Sequence, residues 1–194
     1  MFATGRLFII SAPTGGGKTT IAKRAFQALE KIVPLEKVIT YTTRQPRLNE
    51  RNGIDYHFVD LADFKTKEAS GFFLETTFYD NNFYGCPRNI LDTIAKGKSF
   101  ILVADRAGAK TIKQLYPQAI LIWFDVPSLN VLEERLQKRG RETGEALHRR
   151  ITIAAEEITE EERNPIFDFH LCNDDLNTAT TELIQLIEAS LTNS

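Results

Sequence analysis

Pro13-Thr14-Gly15-Gly16-Gly17-Lys18-Thr19-Thr20 follows the apolar run Leu7-Phe8-Ile9-Ile10 and leads into a segment of helical periodicity. A strand, a run of glycines and a helix in that order make an anion trap. Glycines let backbone N–H groups turn inward around phosphate oxygens, and the helix adds the positive end of its dipole. Lys18 has the reach for β- and γ-phosphates, and the Thr19 hydroxyl can bind Mg²⁺. The pattern is G-x-x-x-x-G-K-[ST] with Ala12 in place of its first glycine. A Gly-rich turn that merely caps a helix is the alternative reading, and the strand–loop–helix setting with Gly-Lys-Thr argues against it. The stretch from Ala12 to Thr20 therefore predicts a nucleoside triphosphate, ATP, as ligand.

Outward from this loop, Ile21, Ala22, Ala25, Phe26 and Leu29 share one face of the first helix. Buried strands are predicted at 100–104, 119–124 and 167–171. Helices are predicted at about 106–116, 128–137 and 176–191, with Ser128 as an N-cap. Short apolar strands alternating with helices predict an α/β fold: a P-loop three-layer αβα arrangement around a central parallel sheet. Two stretches interrupt it. Residues 42–83 are polar and aromatic and read as an insertion between the second and third core strands. Residues 138–150 are dense in arginine, with Gly140 and Gly144 as flexible points, and read as a mobile lid. The single domain, 1–194, thus divides into a core (about 1–41, 86–137 and 151–194), a small α/β acceptor-binding lobe (about 42–85) and a helical lid (about 138–150).

Composition excludes several classes. A net charge of -2 over 194 residues gives no global pull toward nucleic acid or an anionic membrane. The two cysteines, Cys86 and Cys172, are far apart and suit a reducing cytoplasm. No signal peptide is read, and no apolar run approaches the roughly 20 residues of a membrane span. His57, His148 and His170 lack metal-ligand spacing. The run Glu156, Glu157, Glu160, Glu161 and Glu162 reads as the solvated face of an amphipathic helix, and Arg141 and Arg149 as solvated. Trp123 reads as core. Phe72, Phe73, Phe78, Tyr79 and Phe83 read as the small core of the inserted lobe, with one ring available to stack on a base.

A second cluster is Thr40-Tyr41-Thr42-Thr43-Arg44-Gln45-Pro46-Arg47. Arg44 and Arg47 flank a proline-containing turn, so both guanidinia could converge on one phosphate; alone, paired surface arginines are as often solvated. They are followed by Gly53-x-x-Tyr56-x-Phe58, Phe73-Leu74-Glu75, Tyr84-Gly85, Leu102-Val103-Ala104-Asp105 with Gly108, the run from Glu134 to Gly140 ending in Arg150, and Asn173-Asp174-Asp175. Together with the phosphate loop these resemble the guanylate kinase family, from Leu7 to about Leu186.

The resemblance implies ATP-dependent phosphorylation of GMP, and of dGMP, with Mg²⁺. By resemblance, Arg44, Arg47, Tyr56 and Tyr84 hold the GMP phosphate, while Thr40, Glu75, Cys86 and Asp105 face the guanine. Asn173 lies near the adenine, and Lys18, Arg44, Arg135, Arg139 and Arg150 serve the transfer. The chemistry of Glu75 has its own logic: guanine offers N1–H and a 2-amino group as adjacent donors, and one carboxylate accepts both. Adenine's bare N1 would meet that carboxylate lone pair to lone pair. Departures from the family pattern are Ala12, Thr40 in place of the usual serine, Cys86 in place of a hydroxyl, and Val103 in place of the first acid of an Asp-x-Asp pair, with Arg106 adding a positive charge beside it. A thiol is a weak hydrogen-bond partner, so Cys86 could relax guanine selectivity. Small-molecule partners are expected, with no nucleic acid or membrane, and a monomer or homodimer. A kinase of another nucleoside monophosphate or of a phosphorylated sugar stays open. So does an inactive module that binds phosphorylated peptides, although the intact Lys18 and Thr19 argue against the last.

Overall fold

Strand β1 (Leu7–Ser11) is buried along its whole length and apolar up to Ser11, so both of its faces need cover. The computed structural model describes residues 5–138 and 144–192 and shows how that cover is supplied. Leu7 and Ile9 pack with Ile90 and Ile94 of α3 (Ile90–Ala95) and with Ala109 and Ile112 of α4 (Arg106–Leu115). Phe8 and Ile10 pack on the other side with Ile21, Ala25 and Leu29 of α1 (Lys18–Leu29) and with Ala179, Leu183 and Ile187 of α7 (Leu176–Thr192). One strand's alternation thus organises three layers.

The central sheet is parallel, in the order β2-β7-β1-β8-β9, with β2 at Leu35–Lys37, β7 at Ser99–Val103, β8 at Ile120–Asp125 and β9 at Phe169–Cys172. The chain winds from β1 to one side and then returns to the other, so a crevice opens beyond the carboxyl end of β1, where the phosphate loop begins. A second sheet, β4-β3-β6-β5, comes from the insertion: β3 (Tyr41–Thr42), β4 (His57–Phe58), β5 (Phe73–Tyr79) and β6 (Asn82–Pro87). Asp80 and Asn81, both at positive φ, make the tight turn of its β5–β6 hairpin. Phe64, from α2 (Leu61–Ala69), is buried there and stacks on Phe73 with centroids 4.7 Å apart.

The strand β2 and helix α3 had no expectation, and the last strand starts two residues later than 167. Phe72 and Phe78 are exposed rather than core; the period of two sends Phe78 to the outer face of β5. The acidic run is the larger correction. It lies on α6 (Glu145–Arg163), which also takes up residues 145–150 of the segment read as lid. Glu161 is buried and accepts from Arg106 Nε at 2.9 Å and from the Ile166 amide at 2.9 Å. Arg106, itself buried, also donates to the carbonyls of Asn164 and Glu160. It therefore turns away from Asp105 and locks α4 to the end of α6. Removing one partner of a buried pair strands the other charge. Arg106→Ala is expected to lower the unfolding free energy by about 3–5 kcal/mol in chemical denaturation, and replacing both residues by methionine to recover most of the loss.

Candidate functional site

The crevice is a cavity of about 330 Å³ between the phosphate loop and the second sheet. Three groups of residues line it. The first is the loop: Thr14, Gly15, Gly17, Lys18, Thr19 and Thr20. Gly17 sits at φ 93°, and a Cβ there would fall 2.6 Å from Asn173 Nδ2, so shape and contact both require glycine. Asn173 is buried, and its amide donates to the Gly16 carbonyl at 2.6 Å. The structure thus places Asn173 beneath the loop as a brace, outside the cavity lining. Ala12 and Pro13 are likewise buried, and the Ala12 carbonyl accepts from Lys18 Nζ at 3.4 Å. Burial pushes the Lys18 ammonium below its usual range; Glu157 and then Asp105 oppose that, while Arg150 and Arg47 add to it.

Helix α6 grips this loop from above. The Thr14 amide donates to Glu157 Oε2 at 2.8 Å, and Arg150 donates through Nε and Nη2 to Thr14 Oγ1 at 3.2 and 2.9 Å. Burial raises the Glu157 carboxyl, and Lys18 and the Thr14 amide pull it back. Glu157 was expected to be solvated. Its seven-residue spacing from Arg150, two helical turns along one face, is the signal that could have found it. Arg149 is exposed, as expected, and pairs with Asp80 at the β5–β6 turn, 3.2 Å away, so α6 touches the phosphate loop and the second sheet together.

The second group comprises Arg44, Arg47, Glu50, Tyr56 and Tyr84. Glu50 organises it, holding Arg44 Nη2 at 3.0 Å and accepting from the Arg47 amide at 2.8 Å. The Arg44 guanidinium lies 5.4 Å from the centre of the Tyr56 ring, and the Tyr56 and Tyr84 rings meet edge to face. Burial, followed by the charges of Arg44 and Arg150, lowers the pKa of Arg47, as expected where several cations await an anion.

The third group is Thr40, Glu75, Thr77, Cys86, Asp105 and Gly108. Glu75 is only 8% exposed, and its Oε1 has no hydrogen-bond partner among the described residues. Burial, with Asp105 second, pushes its carboxyl up to about 8. A Cβ on residue 108 would fall 2.9 Å from that oxygen, so Gly108 gives the carboxylate its room. Asp105 Oδ1 accepts from the Gly108 amide at 2.8 Å as the N-cap of α4, and Oδ2 accepts from Thr77 Oγ1 at 2.9 Å. Both oxygens are therefore engaged by the chain. Cys86 is buried, with its thiol 3.9 Å from the Pro87 carbonyl, and burial keeps it protonated.

Two expected residues stand apart. Arg135, on α5 (Leu129–Lys138), donates to the Asp174 carbonyl at 3.1 Å and does not line the cavity. Arg139 lies outside the described residues. The Ser128 hydroxyl accepts from the Val131 amide at 3.3 Å, as an N-cap does. Thr77, Tyr79, Glu50 and Glu157 entered the site without having been foreseen.

The chemistry the cavity supports runs along its length: amides and an ammonium for a polyphosphate, two guanidinia for a second phosphate, then a carboxylate for a pair of donors. No cluster of three or more His, Cys, Asp or Glu among the described residues could hold a metal by itself. The exposed Thr19 hydroxyl at the cavity edge suits an ion that takes its other ligands from phosphate and water. No helix among the described residues is long and apolar enough to cross a membrane.

Comparison with known proteins gives the family. The guanylate kinase family model matches residues 4–190. Guanylate kinase of Nitrosomonas europaea is 39% identical over 184 residues, covering 94% of this chain and 89% of that protein. That of Hahella chejuensis is 39% identical over 189 residues, covering 96% and 88%. The crystal structure of guanylate kinase from Anaplasma phagocytophilum superposes with a TM-score of 0.80 at 27% identity, over 98% of this chain and 88% of that one. A gluconokinase from Sinorhizobium meliloti, at a TM-score of 0.53 and 14% identity over 100% of this chain and 97% of that one, shares the fold alone.

Proposed function

The chain belongs to the guanylate kinase family, and from that premise we propose that it transfers the γ-phosphoryl group of ATP to GMP or dGMP, yielding ADP and GDP or dGDP. The observation that carries this reading is one cavity with Lys18 at one end, Glu75 at the other, and Arg44 and Arg47 between them. ATP enters phosphates first, its tail wrapped by the amides of the phosphate loop and met by Lys18. GMP lies opposite, its phosphate on Arg44, Arg47, Tyr56 and Tyr84, its N1–H and 2-amino group on Glu75.

An oxygen of the GMP phosphate attacks the γ-phosphorus, and the bond to the β–γ bridging oxygen breaks, leaving ADP. The nucleophile is already anionic, so no general base is needed. Catalysis is alignment and charge: Lys18 on the donor side, Arg44 on the acceptor side and Arg150 above the loop. The Thr19 hydroxyl would hold Mg²⁺, which, bound with ATP, would neutralise the β- and γ-phosphates. Asn173 and Arg135 act here as braces of the loop and of α5. The second sheet is the acceptor-binding lobe. Closure of that lobe toward α6, which Arg149 and Asp80 already bridge, would shut out water before transfer.

The test is ADP release across GMP, dGMP, AMP, CMP, UMP and ribose phosphates. GMP and dGMP are expected to be turned over well above the rest. Turnover of a sugar phosphate or a pyrimidine nucleotide instead would replace the reading by another kinase. Failure of ATP to bind in calorimetry would replace it by a binding module.

A further inference from the structure

Along β5, Glu75, Thr77 and Tyr79 all line the cavity, as the period of two requires. Thr76 turns away to Glu68, and Phe78 turns to solvent. Four residues of strand span about 13 Å, long enough to pass the base and sugar of a nucleotide and end at its phosphate. Tyr79 stands at that end. Its hydroxyl lies against Thr14 of the phosphate loop and the Glu157 carboxylate, and the charges of Asp105 and Arg150 act on it. Its hydroxyl oxygen is nevertheless shut away without a hydrogen bond of proper geometry. Two atoms beside it are already engaged, Glu157 Oε2 by the Thr14 amide and Thr14 Oγ1 by Arg150.

An enclosed phenol O–H that makes no well-formed hydrogen bond is destabilising, and Tyr79 lines the same cavity as Lys18, Arg44 and Arg47. We propose that Tyr79 is a catalytic residue whose hydroxyl donates a hydrogen bond to a non-bridging oxygen of the phosphoryl group in transfer. The inference rests on the kinase reading above. Burial, followed by Glu157, raises the hydroxyl's pKa, so it remains a donor across the working pH range. It needs no proton transfer; it supplies a fixed dipole where negative charge spreads in the transition state.

Tyr79→Phe removes one oxygen and keeps the ring, so the variant in the full chain tests the hydroxyl alone. We expect kcat to fall roughly 10- to 100-fold while KM for ATP and for GMP stays within about threefold. The thermal midpoint of the unliganded variant should equal or exceed that of the wild type, because an unpaired polar group has gone. Affinity for ADP, GMP and aluminium fluoride together, a planar phosphoryl mimic, should weaken in step with kcat, and affinity for GMP alone should not. A kcat within twofold of wild type overturns the proposal. So does a rise in KM with kcat intact, which marks ordinary substrate binding. Wild-type turnover of ATP and GMP in the same assay tests the kinase reading separately.

Discussion

Lys18→Ala is expected to reduce kcat for GMP phosphorylation by roughly three orders of magnitude while KM for GMP changes little. Among the described residues the ammonium is the one cation seated inside the phosphate loop, next to the Ala12 carbonyl. Two of the cavity's other cations are already engaged, Arg44 by Glu50 and Arg150 by Thr14 Oγ1. Neither can slide into the vacated place without giving up those contacts. The fold should tolerate the change. Burial lowers the Lys18 pKa, so the charged form is costly in the empty loop, and its loss removes that cost rather than a structural prop. The folded-state pKa being depressed, the wild-type protein gains stability from Lys18 only as rising pH removes its proton, and the alanine variant should lack that gain. Lys18→Arg keeps the charge but brings a planar fork into a space shaped for a point charge, and should not restore the rate. The check is steady-state kinetics beside ATP calorimetry and thermal melts. More than a tenth of the wild-type kcat in the alanine variant would remove Lys18 from the mechanism.

The parts of the site that could be read in the sequence are those where local order carries the chemistry. The phosphate loop is contiguous, and Leu7-Phe8-Ile9-Ile10 before it announces a strand that needs helices on both faces. Glu157 and Glu161 could not be read that way. An isolated run of glutamates is solvated by default, and here burial is set by partners far along the chain: Thr14 is 143 residues from Glu157, and Arg106 is 55 from Glu161. The polar alternation Glu75, Thr77, Tyr79 was present in the sequence. Its direction toward the cavity depends on pairing with β6, where the register shifts between Phe73 and Glu75. Arg106 shows the reverse error. Its place next to Asp105 suggested a charge in the site, yet the first turn of α4 carries it around to Glu161.

Glu75→Gln should lower kcat/KM for GMP by roughly 10²–10⁴-fold, mostly through KM, and narrow the gap between GMP and AMP. The carboxylate can accept from N1–H and from the 2-amino group together. A glutamine has one oxygen for two donors and turns its own NH₂ toward one of them. The pH dependence separates this role from simple packing. In the unliganded protein the Glu75 carboxyl is raised to about 8, by burial and then by Asp105, whereas guanine needs it ionised. GMP binding below that pH must therefore expel a proton, and affinity should weaken about tenfold per unit as pH falls below 8. Above 8 it should level off. The stability sign runs the opposite way. A carboxyl whose folded pKa is raised holds a proton that the unfolded chain has released, so the unliganded protein loses stability as pH rises from the ordinary carboxylate range through about 8. Glu75→Gln stays neutral throughout. It should flatten both curves, melting at or above the wild type at pH 9 while binding GMP weakly at every pH. Calorimetric titration in two buffers of different ionisation enthalpy counts the proton directly: near one released per GMP at pH 7 for the wild type, near none for the variant. An unchanged acceptor ranking with an unchanged pH slope would show that another group reads the base.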